Sequence, residues 1–205
     1  MNPLISCLCP TRNKPSIVKN AIKYFKNQIY PNKELILVTD EKNPYIEDLK
    51  KLTSENIKLF YAPHKSTIGT LRNISIDNAN GEYVATWDDD DVHHRDRILV
   101  QYHAMKGSKK EACYLRRVLI NDAITGDKGI SKDWRGIEGS MVALKSKIPR
   151  YDDTKTIAED SPIKHFFVSN HKSIIINEPH LYVYNFHSNN TCKHEHLKAI
   201  IDVII

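Results

Sequence analysis

Short apolar runs alternate with longer amphipathic segments through the first half of the chain, and this alternation constrains the fold more than any other feature. The apolar runs are LISCLC (4–9), ELILVT (34–39), IKLFYA (57–62) and EYVATW (82–87). Each run is short and bounded by turn residues, which predicts a buried strand. The intervening segments predict helices over residues 16–28, 43–54, 66–80 and 95–105. Strands that alternate with helices favour an α/β fold, in which helices flank a mostly parallel, Rossmann-like sheet.

The second half of the chain is less regular. Apolar runs predict strands over residues 112–120, 139–146, 173–177 and 181–186. Turn residues at 121–130 predict a hairpin tip, and a helix is expected within 156–170. We therefore expect one domain of 205 residues, with a regular half at 1–105 and a smaller, mixed β region at 106–205. The apolar end KAIIDVII (198–205) either packs on this domain or continues into a longer protein.

Charge and composition narrow the class of protein. The net charge of +5 is modest, and the lysines and arginines do not gather into one long run. This pattern does not point to nucleic acid, whereas a mildly basic surface suits an anionic small molecule. Cys7 and Cys9 alternate within an apolar run, which is typical of small core residues. No signal peptide is visible and no apolar run approaches the roughly 20 residues of a membrane span, so we expect a soluble, cytoplasmic protein.

Four consecutive aspartates, residues 88–91, follow the fourth predicted strand. Neighbouring carboxylates about 6 Å apart repel by roughly 3 kcal/mol at an effective dielectric constant near 20. Either solvent or a bound divalent cation has to offset that repulsion. Side chains at positions i and i+2 of an extended segment point to the same side, so Asp88 and Asp90 are candidates to hold one cation. Hard cations prefer such oxygen ligands and bridge them to substrate phosphates.

Polar residues also follow the first and second predicted strands, as PTRN (10–13) and DEKN (40–43). The carboxyl ends of parallel strands meet at one edge of a sheet, and folds of this kind bind their ligands there. The aspartates therefore lie where the predicted fold expects a ligand.

The order and spacing of these motifs resemble family 2 glycosyltransferases, which have the GT-A fold of nucleotide-sugar transferases. The matching segments are CPTRN (9–13), VTD (38–40), GTLRNISID (69–77) and NGEYVATWDDDD (80–91). The resemblance is strong over residues 4–105. It continues more loosely through IEGSMVAL (137–144), AED (158–160) and YVYNFHSNNT (182–191).

The resemblance implies roles for individual residues. It implies nucleotide contacts at Thr11, Arg12, Asp40, Arg72, Asp88 and Asp89. It implies a site for Mn²⁺ or Mg²⁺ at Asp90, Asp88 and His187. Asp160 is the candidate general base. The sugar or acceptor side is expected at Trp134, Gly139, Ser140 and Glu159.

The function implied by the resemblance is inverting, metal-dependent transfer of a sugar from a nucleotide sugar, with UDP as the expected carrier. The acceptor would be a hydroxyl group of a glycan, lipid or protein, as in polysaccharide biosynthesis. Two positions depart from the family pattern: Thr39 replaces an acid, and Arg95 replaces the usual proline. The Q-x-x-R-W motif of processive synthases is absent, which favours nonprocessive transfer of single residues.

Other interpretations stay open at this point. A catalytically inactive relative that binds a nucleotide or a glycan would share the fold, and a metal-dependent phosphoesterase is a weaker alternative. Asp160 also suits the first turn of a helix, where the helix dipole favours an acid. His187 also suits an ordinary loop, and His93 and His94 beside the aspartates are further candidate ligands. The spacing of CKHEH (192–196) fits no usual zinc site.

Overall fold

The predicted alternation of strands and helices forms in the first half of the chain. A computed structural model describes residues 2–155, 158–188, 190 and 194–205. Its elements over the first half are β1 (Ile5–Pro10), α1 (Pro15–Lys26), β2 (Lys33–Asp40), α2 (Ile46–Lys50), β3 (Ile57–Ala62), α3 (Ile68–Asn78), β4 (Tyr83–Thr86), β5 (Val92–His93) and α4 (Arg97–Gly107). Strands β1 to β4 match the four predicted apolar runs to within one residue at each end. The short strand β5 was not predicted.

The second helix is shorter than predicted and begins later. The helix predicted over 43–54 extends only over Ile46–Lys50. Asn43, the expected N-cap, instead closes a turn after β2. Its Oδ1 accepts from the Tyr45 amide at 2.9 Å, and its Nδ2 donates to Thr39 Oγ1 at 2.8 Å. Asparagine side chains bond nearby backbone groups in this way, and here the turn replaces the first residues of the predicted helix.

The second half changes sheet part-way along a predicted strand. Its elements are β6 (Ala112–Leu115), β7 (Leu119–Asp122), β8 (Lys128–Ser131), β9 (Val142–Leu144), α5 (Ser161–Ser169), β10 (Ser173–Ile176), β11 (Tyr182–Phe186), α6 (His194–Ile200) and β12 (Ile201–Ile204). The strand predicted over 112–120 is split, because β6 belongs to one sheet and β7 to another. The hairpin predicted at 121–130 is confirmed, since β7 pairs antiparallel with β8. The strand predicted over 139–146 is shortened to β9, because Glu138–Ser140 form a 3₁₀ turn.

The strands form two sheets. The larger has seven strands in the order β10-β6-β9-β4-β1-β2-β3, and among the described strands of this sheet only β9 runs antiparallel to its neighbours. The smaller has five strands in the order β12-β8-β7-β11-β5 and is mixed. The prediction of a mostly parallel sheet with a smaller mixed region is confirmed. Leu8 lies opposite Thr86 and Pro10 opposite Val38, so the carboxyl ends of β1, β2 and β4 meet at one edge.

Helices cover both faces of the larger sheet. On one face, Cys7 and Cys9 share a hydrophobic cluster with Phe25 of α1 and Ile98 of α4. On the other face, Leu8 belongs to a cluster that includes residues of α3 and α5. Successive strand residues therefore alternate between two buried clusters, as a sheet covered on both sides requires. The prediction that Cys7 and Cys9 are core residues is confirmed, because both are fully buried.

The apolar end of the chain packs on the smaller sheet. β12 pairs antiparallel with β8, and Leu197 of α6 is buried in a cluster with Ile120 and Phe186. Part of the CKHEH segment lies outside the described residues. Among the helices of residues 2–155, 158–188 and 194–205, none has the length and apolar character needed to cross a membrane.

Candidate functional site

The four aspartates lie where β4 ends, beside the ends of β1 and β2. β4 ends at Thr86, and residues 89–91 form a turn that leads directly into β5. The expectation of an extended segment is therefore wrong for residues 89–91, but Asp88 and Asp90 do differ together from their neighbours, as the sequence predicts. The carboxylates of this acidic turn, residues 88–91, alternate between an inner pair, Asp89 and Asp91, which are buried, and an outer pair, Asp88 and Asp90, which are partly exposed.

Asp89 fastens the acidic turn to the end of β1. It accepts hydrogen bonds from the Thr11 hydroxyl and from Asn13 Nδ2, the latter at 2.9 Å. Burial raises the pKa of Asp89 to about 7, against the opposing effect of the Thr11 hydrogen bond. Thr11, which the family resemblance placed at the nucleotide, is itself buried and donates its hydroxyl inward. The Thr11–Asp89 contact thus belongs to the support of the turn.

Asp91 fastens the same turn to β11 in the smaller sheet. It accepts hydrogen bonds from the Tyr182 hydroxyl and from the backbone amide of Asn185, the latter at 2.8 Å. Burial raises the pKa of Asp91 well above its usual range, and the charges of Asp90 and Asp88 raise it further. The inner pair therefore joins the acidic turn to strands of both sheets.

The outer pair contacts basic side chains at the surface of the cleft. Asp88 Oδ1 accepts from Arg72 Nη2 at 3.2 Å, and Asp90 Oδ2 lies 3.1 Å from His187 Nε2. The side chains of Asp88 and Asp90 are 23% and 22% exposed, so both stay within reach of a ligand. Burial raises the pKa of Asp90, and the charge of Asp88 raises it further. The outer pair thus retains part of the mutual repulsion that the sequence predicts.

A fully buried arginine lies beneath the acidic turn. Arg97 Nη1 lies 2.5 Å from His93 Nδ1, and Arg97 Nη2 donates to the Gly139 carbonyl at 3.1 Å. Because arginine only donates, His93 Nδ1 must accept, and the proton on His93 Nε2 is directed at the Asp88 carbonyl 3.1 Å away. The guanidinium also lies 4.9 Å from the centroid of the Tyr182 ring. This permanent positive charge offsets part of the repulsion among the aspartates.

Sequence reasoning missed this buried support. It treated His93 as a further candidate ligand, but the side chain is 2% exposed and both ring nitrogens contact groups of the protein itself. Arg97 Nε donates to Gln101 Oε1 at 3.1 Å, and Gln101 donates to the Ser140 carbonyl at 2.7 Å. A signal was present: polar residues recur every four positions, at 93, 97 and 101, beside the apolar residues of α4.

A second acidic group faces the outer pair from the beginning of α5. Arg72 Nε donates to Glu159 Oε1 at 2.9 Å, so one guanidinium joins Asp88 to Glu159. Asp160 follows directly and immediately precedes α5. Burial raises the pKa of Asp160 to about 6, although the nearby charge of Arg72 opposes this shift. A carboxyl group with such a pKa is mostly ionised at neutral pH and still accepts a proton readily.

The end of β2 is occupied by the loop that follows β3. Asp40 accepts backbone hydrogen bonds from Lys42 at 2.8 Å and from Lys65 at 2.7 Å, and it lies 3.0 Å from His64 Nδ1. The hydrogen bonds from Lys42 and His64 lower the pKa of Asp40 to about 2. Arg12 is exposed and donates to a carbonyl of the same loop. Asp40 and Arg12, both expected to contact the nucleotide, therefore contact the same loop.

A comparison of sequences decides the family. The profile described as Glycosyl transferase family 2 matches residues 6–174, which is most of the chain. This chain belongs to glycosyl transferase family 2.

Curated glycosyltransferases match about half of this chain in sequence. An uncharacterized glycosyltransferase of Haemophilus influenzae is 32% identical over 106 residues, which is 50% of this chain and 42% of that protein. The putative teichuronic acid biosynthesis glycosyltransferase TuaG of Bacillus subtilis is 28% identical over 107 residues, with the same coverage of 50% and 42%. These matches cover less than half the length of each relative.

Solved structures resemble a larger part of the chain. S. aureus TarS, in complex with UDP-GlcNAc, has a TM-score of 0.71 at 14% identity and covers 91% of this chain and 59% of its own. The mannosyltransferase PcManGT of Pyrobaculum calidifontis, in complex with GDP-Man and Mn²⁺, has a TM-score of 0.66 at 16% identity, covering 92% and 59%. At these identities the likeness concerns the fold, and the expected GT-A fold is confirmed.

The positions expected on the sugar or acceptor side of a family 2 enzyme differ in accessibility. Trp134 is 39% exposed. Gly139 lies against the acidic turn, because a Cβ there would stand 2.8 Å from the Tyr182 hydroxyl and 3.1 Å from Asp88 Oδ2. Ser140 is fully buried, and its hydroxyl bonds backbone groups on either side of it in the fold. Gly139 thus allows the close approach of its turn to Asp88, while Ser140 holds that turn in place.

A cavity of about 270 Å³ lies beside the outer pair. It is lined by α1, by the acidic turn and by the ends of β7 and β11, and Asp90 and His187 are among the lining residues. The contact between Asp90 and His187 is therefore open to a small ligand on this side.

The side chains of Asp88, Asp90 and His187 are of types that bind a hard divalent cation. In the described part of the chain, however, they are not arranged around one point. Over residues 2–155, 158–188, 190 and 194–205, no group of three or more His, Cys, Asp and Glu side chains is arranged to hold a metal ion. Asp90 and His187 contact each other, while Asp88 contacts Arg72. Two carboxylates and one imidazole are donors that Mn²⁺ accepts. Because the Asp88 charge already raises the pKa of Asp90, a cation between them would relieve that repulsion, so the chemistry of these side chains suits such an ion.

Proposed function

We propose that this chain forms the catalytic domain of an inverting, metal-dependent, nonprocessive glycosyltransferase. It takes a sugar from a nucleotide sugar and transfers it to a hydroxyl group of a glycan, lipid or protein. One observation carries the proposal: Arg72 joins Asp88 of the outer pair to Glu159, which stands beside the candidate base Asp160. In this proposal the nucleotide diphosphate binds on the Asp88 side of the guanidinium, and the proton is removed on the Glu159 side.

In the proposed reaction, the bond between C1 of the sugar and the diphosphate oxygen breaks, and the leaving diphosphate keeps the electron pair. The acceptor oxygen forms a new bond to C1 from the opposite face and loses its proton to the Asp160 carboxylate. A single displacement of this kind inverts the anomeric centre. The pKa of Asp160, near 6, suits a base that acts at neutral pH. A divalent cation held by Asp88, Asp90 and His187 would supply positive charge to the leaving diphosphate.

Family membership and the neighbours' ligands support a nucleotide-sugar donor. TarS was solved with UDP-GlcNAc, and the mannosyltransferase was solved with GDP-Man and Mn²⁺. We propose UDP as the carrier, because Asp40 stands at the strand end where the family resemblance expects a uracil contact. GDP is the second candidate. The description of TuaG as a teichuronic acid biosynthesis enzyme supports a role in polysaccharide biosynthesis.

A panel of UDP- and GDP-sugars incubated with the protein and Mn²⁺ tests the proposal. We expect slow hydrolysis of one donor in the absence of an acceptor, measured as release of the nucleoside diphosphate, and its loss in Asp160→Asn and Asp90→Asn. The matched control is Asp77→Asn, since Asp77 is an exposed acid of α3 that forms an ion pair with the exposed Arg150. The anomeric configuration of the released sugar, read by proton NMR, tests inversion.

Two other results would each replace the proposal. Binding of UDP that depends on Mn²⁺, without turnover of any donor, would point to an inactive nucleotide-binding relative. Release of phosphate from simple phosphate esters, with the same dependence on Asp90, would point to a phosphoesterase.

A further inference from the structure

Arg72 is engaged on two sides by acids that come from distant parts of the chain. Its Nη2 donates to Asp88 Oδ1 at 3.2 Å, and its Nε donates to Glu159 Oε1 at 2.9 Å. The side chain is buried, and its guanidinium carbon lies 5.8 Å from the centroid of the Tyr151 ring. These contacts direct the guanidinium toward the protein's own acids, which is a different task from the nucleotide contact that the family resemblance implies.

The helix that carries Arg72 is fastened to the chain segment that leads to Glu159. The Asn73 side chain makes two hydrogen bonds with the backbone of Tyr151. Its Oδ1 accepts from the Tyr151 amide and its Nδ2 donates to the Tyr151 carbonyl, each at 2.9 Å. Thr67, the N-cap of α3, donates its hydroxyl to the Asp153 carbonyl at 2.7 Å. Since α3 is fixed to residues 151–153, the guanidinium is held at a set place relative to the cleft.

Close packing strengthens this connection at the beginning of the helix. A Cβ on Gly69 would stand 2.3 Å from the carbonyl oxygen of Asp152, so only glycine allows α3 to approach this backbone so closely. The approach places one whole turn of the helix, including Arg72, directly beside the segment 151–153.

The charges around Asp160 make the position of Arg72 consequential. The charges of three acids raise the pKa of Asp160 in addition to burial: Glu159 beside it, Glu138 of the 3₁₀ turn and Asp88 of the acidic turn. Glu138 is paired with Lys164 of α5 at 2.5 Å. The positive charge of Arg72 opposes the rise in pKa that burial causes at Asp160.

We propose that Arg72 is a positioning residue, which fixes Glu159 and the adjacent Asp160 relative to Asp88 for proton removal. This inference rests on the proposed function for the role of Asp160 as a base. It assigns Arg72 to the connection between the donor side and the acceptor side of the cleft and not to the binding of the nucleotide.

Arg72→Met removes the charge and both hydrogen bonds while keeping an unbranched side chain. The first measurement follows the side-chain carboxyl carbon of Asp160 by ¹³C NMR as a function of pH, with Asp160→Asn for assignment. We expect the wild-type resonance to titrate near pH 6 and the Arg72→Met resonance to titrate at clearly higher pH. This readout needs no turnover, so it separates a failure of this inference from a failure of the proposed function.

The second measurement is kinetic and uses the donor that the wild-type protein hydrolyses. We expect kcat/KM of Arg72→Met at pH 6 to fall by about ten-fold or more, with its acid limb displaced to higher pH and KM for the donor nearly unchanged. Calorimetric titration with UDP and with GDP should give the wild-type affinity within about two-fold.

Two further variants keep the test decisive. Arg72→Lys retains the charge but cannot make both contacts, so its acid limb should stay near the wild-type position while kcat falls. Arg150→Met is the matched control, because Arg150 pairs with Asp77 at the other end of α3 and both side chains are exposed. It should leave the titration of Asp160 and the kinetics unchanged. If Arg72→Met does not fold, Arg72→Lys carries the comparison.

Contrary results are well defined. If Asp160 titrates in Arg72→Met as it does in the wild type, and UDP or GDP affinity falls ten-fold or more, Arg72 binds the nucleotide and the inference is wrong. If both Arg72 variants lose thermal stability and activity together without any displacement of the acid limb, the role of Arg72 is only structural and the inference is equally wrong.

Discussion

The inner and outer pairs of the acidic turn are chemically identical side chains, one residue apart, with opposite surroundings. Asp89 and Asp91 are buried and accept hydrogen bonds from residues that follow β1 and from residues of β11, so they hold the turn in place. Asp88 and Asp90 are partly exposed and contact Arg72 and His187. Alternate residues of one acidic run can therefore have different roles. The buried pair stabilises the turn, and the partly exposed pair stays accessible to a ligand.

The repulsion within the run is therefore offset in more than one way. The buried charge of Arg97 acts from beneath, hydrogen bonds satisfy the inner pair, and Arg72 acts from the side. A divalent cation, as proposed, would act only on the outer pair. Solvent alone, which was one of the two initial alternatives, is not what surrounds Asp89 or Asp91.

The largest effect is expected in the outer pair. Asp90→Asn should lower donor hydrolysis by about 10²–10³-fold or more. It removes a carboxylate that is expected to hold the divalent cation, and this cation would stabilise the leaving diphosphate. It should not lower the thermal unfolding temperature, since burial raises the pKa of Asp90 and its charge is not favoured by the fold. Initial rates with Mn²⁺ and a thermal melt check both parts. Full activity in Asp90→Asn would end the assignment of function to the outer pair.

In the inner pair, the principal effect should fall on stability. Asp91→Ala leaves the Tyr182 hydroxyl and the Asn185 amide without their acceptor and should cost about 2–4 kcal/mol, or a melting temperature lower by about 5–15 °C. Asp91→Asn can keep both contacts, because Asn Oδ1 accepts from the amide and its Nδ2 can donate to the tyrosine oxygen. Its melting temperature should stay within a few degrees of wild type. Equal destabilisation by both variants would show that the charge, not the hydrogen bonds, matters at Asp91.

The response to pH separates the cleft from the support of the turn. Proton removal by Asp160 requires its ionised form, so kcat/KM should rise with pH and level off above about 6, falling about ten-fold per unit below that. Asp89, with a pKa raised to about 7, would give a limb about one unit higher if the state of the turn limited the rate. In Asp89→Asn the limb should stay near 6. A limb that vanishes in Asp89→Asn would assign the titration to the inner pair.

The smallest effect is expected at Thr11. Thr11→Val keeps the shape but removes the hydroxyl that donates to Asp89, which retains its bond from Asn13. Stability should fall by about 1 kcal/mol, or about 2–4 °C in melting temperature. UDP affinity, measured by calorimetry, should change by less than about two-fold. A ten-fold loss of affinity would mean that Thr11 contacts the nucleotide, and the division into inner and outer residues would not hold at the end of β1.

Much of the fold could be predicted because it depends on local periodicity. The four apolar runs of the first half match β1 to β4 almost residue for residue, and the hairpin at 121–130 is where its turn residues indicate. The errors have tertiary causes. The strand predicted over 112–120 is one apolar run, but its two parts pair with different sheets, and no local signal marks that change.

The candidate site was predicted in part. The order of motifs along the chain identified the family, because it depends only on residue types and spacing at successive strand ends. The individual roles of Thr11 and Arg72 as nucleotide contacts remain predictions, and the structure gives both residues partners within the protein. The buried group of His93 and Arg97 was missed, although its four-residue spacing was visible.

The sequence by itself determined that strands and helices alternate, that polar strand ends meet at one edge, and that the chain carries the motifs of glycosyl transferase family 2. Only the tertiary structure decided which aspartates point inward and which outward. The physical reason is that alternation divides four identical neighbours into two pairs but does not decide which pair faces the protein. Their partners, at positions 11, 72, 182 and 187, are far away in sequence and become neighbours only when both sheets have formed.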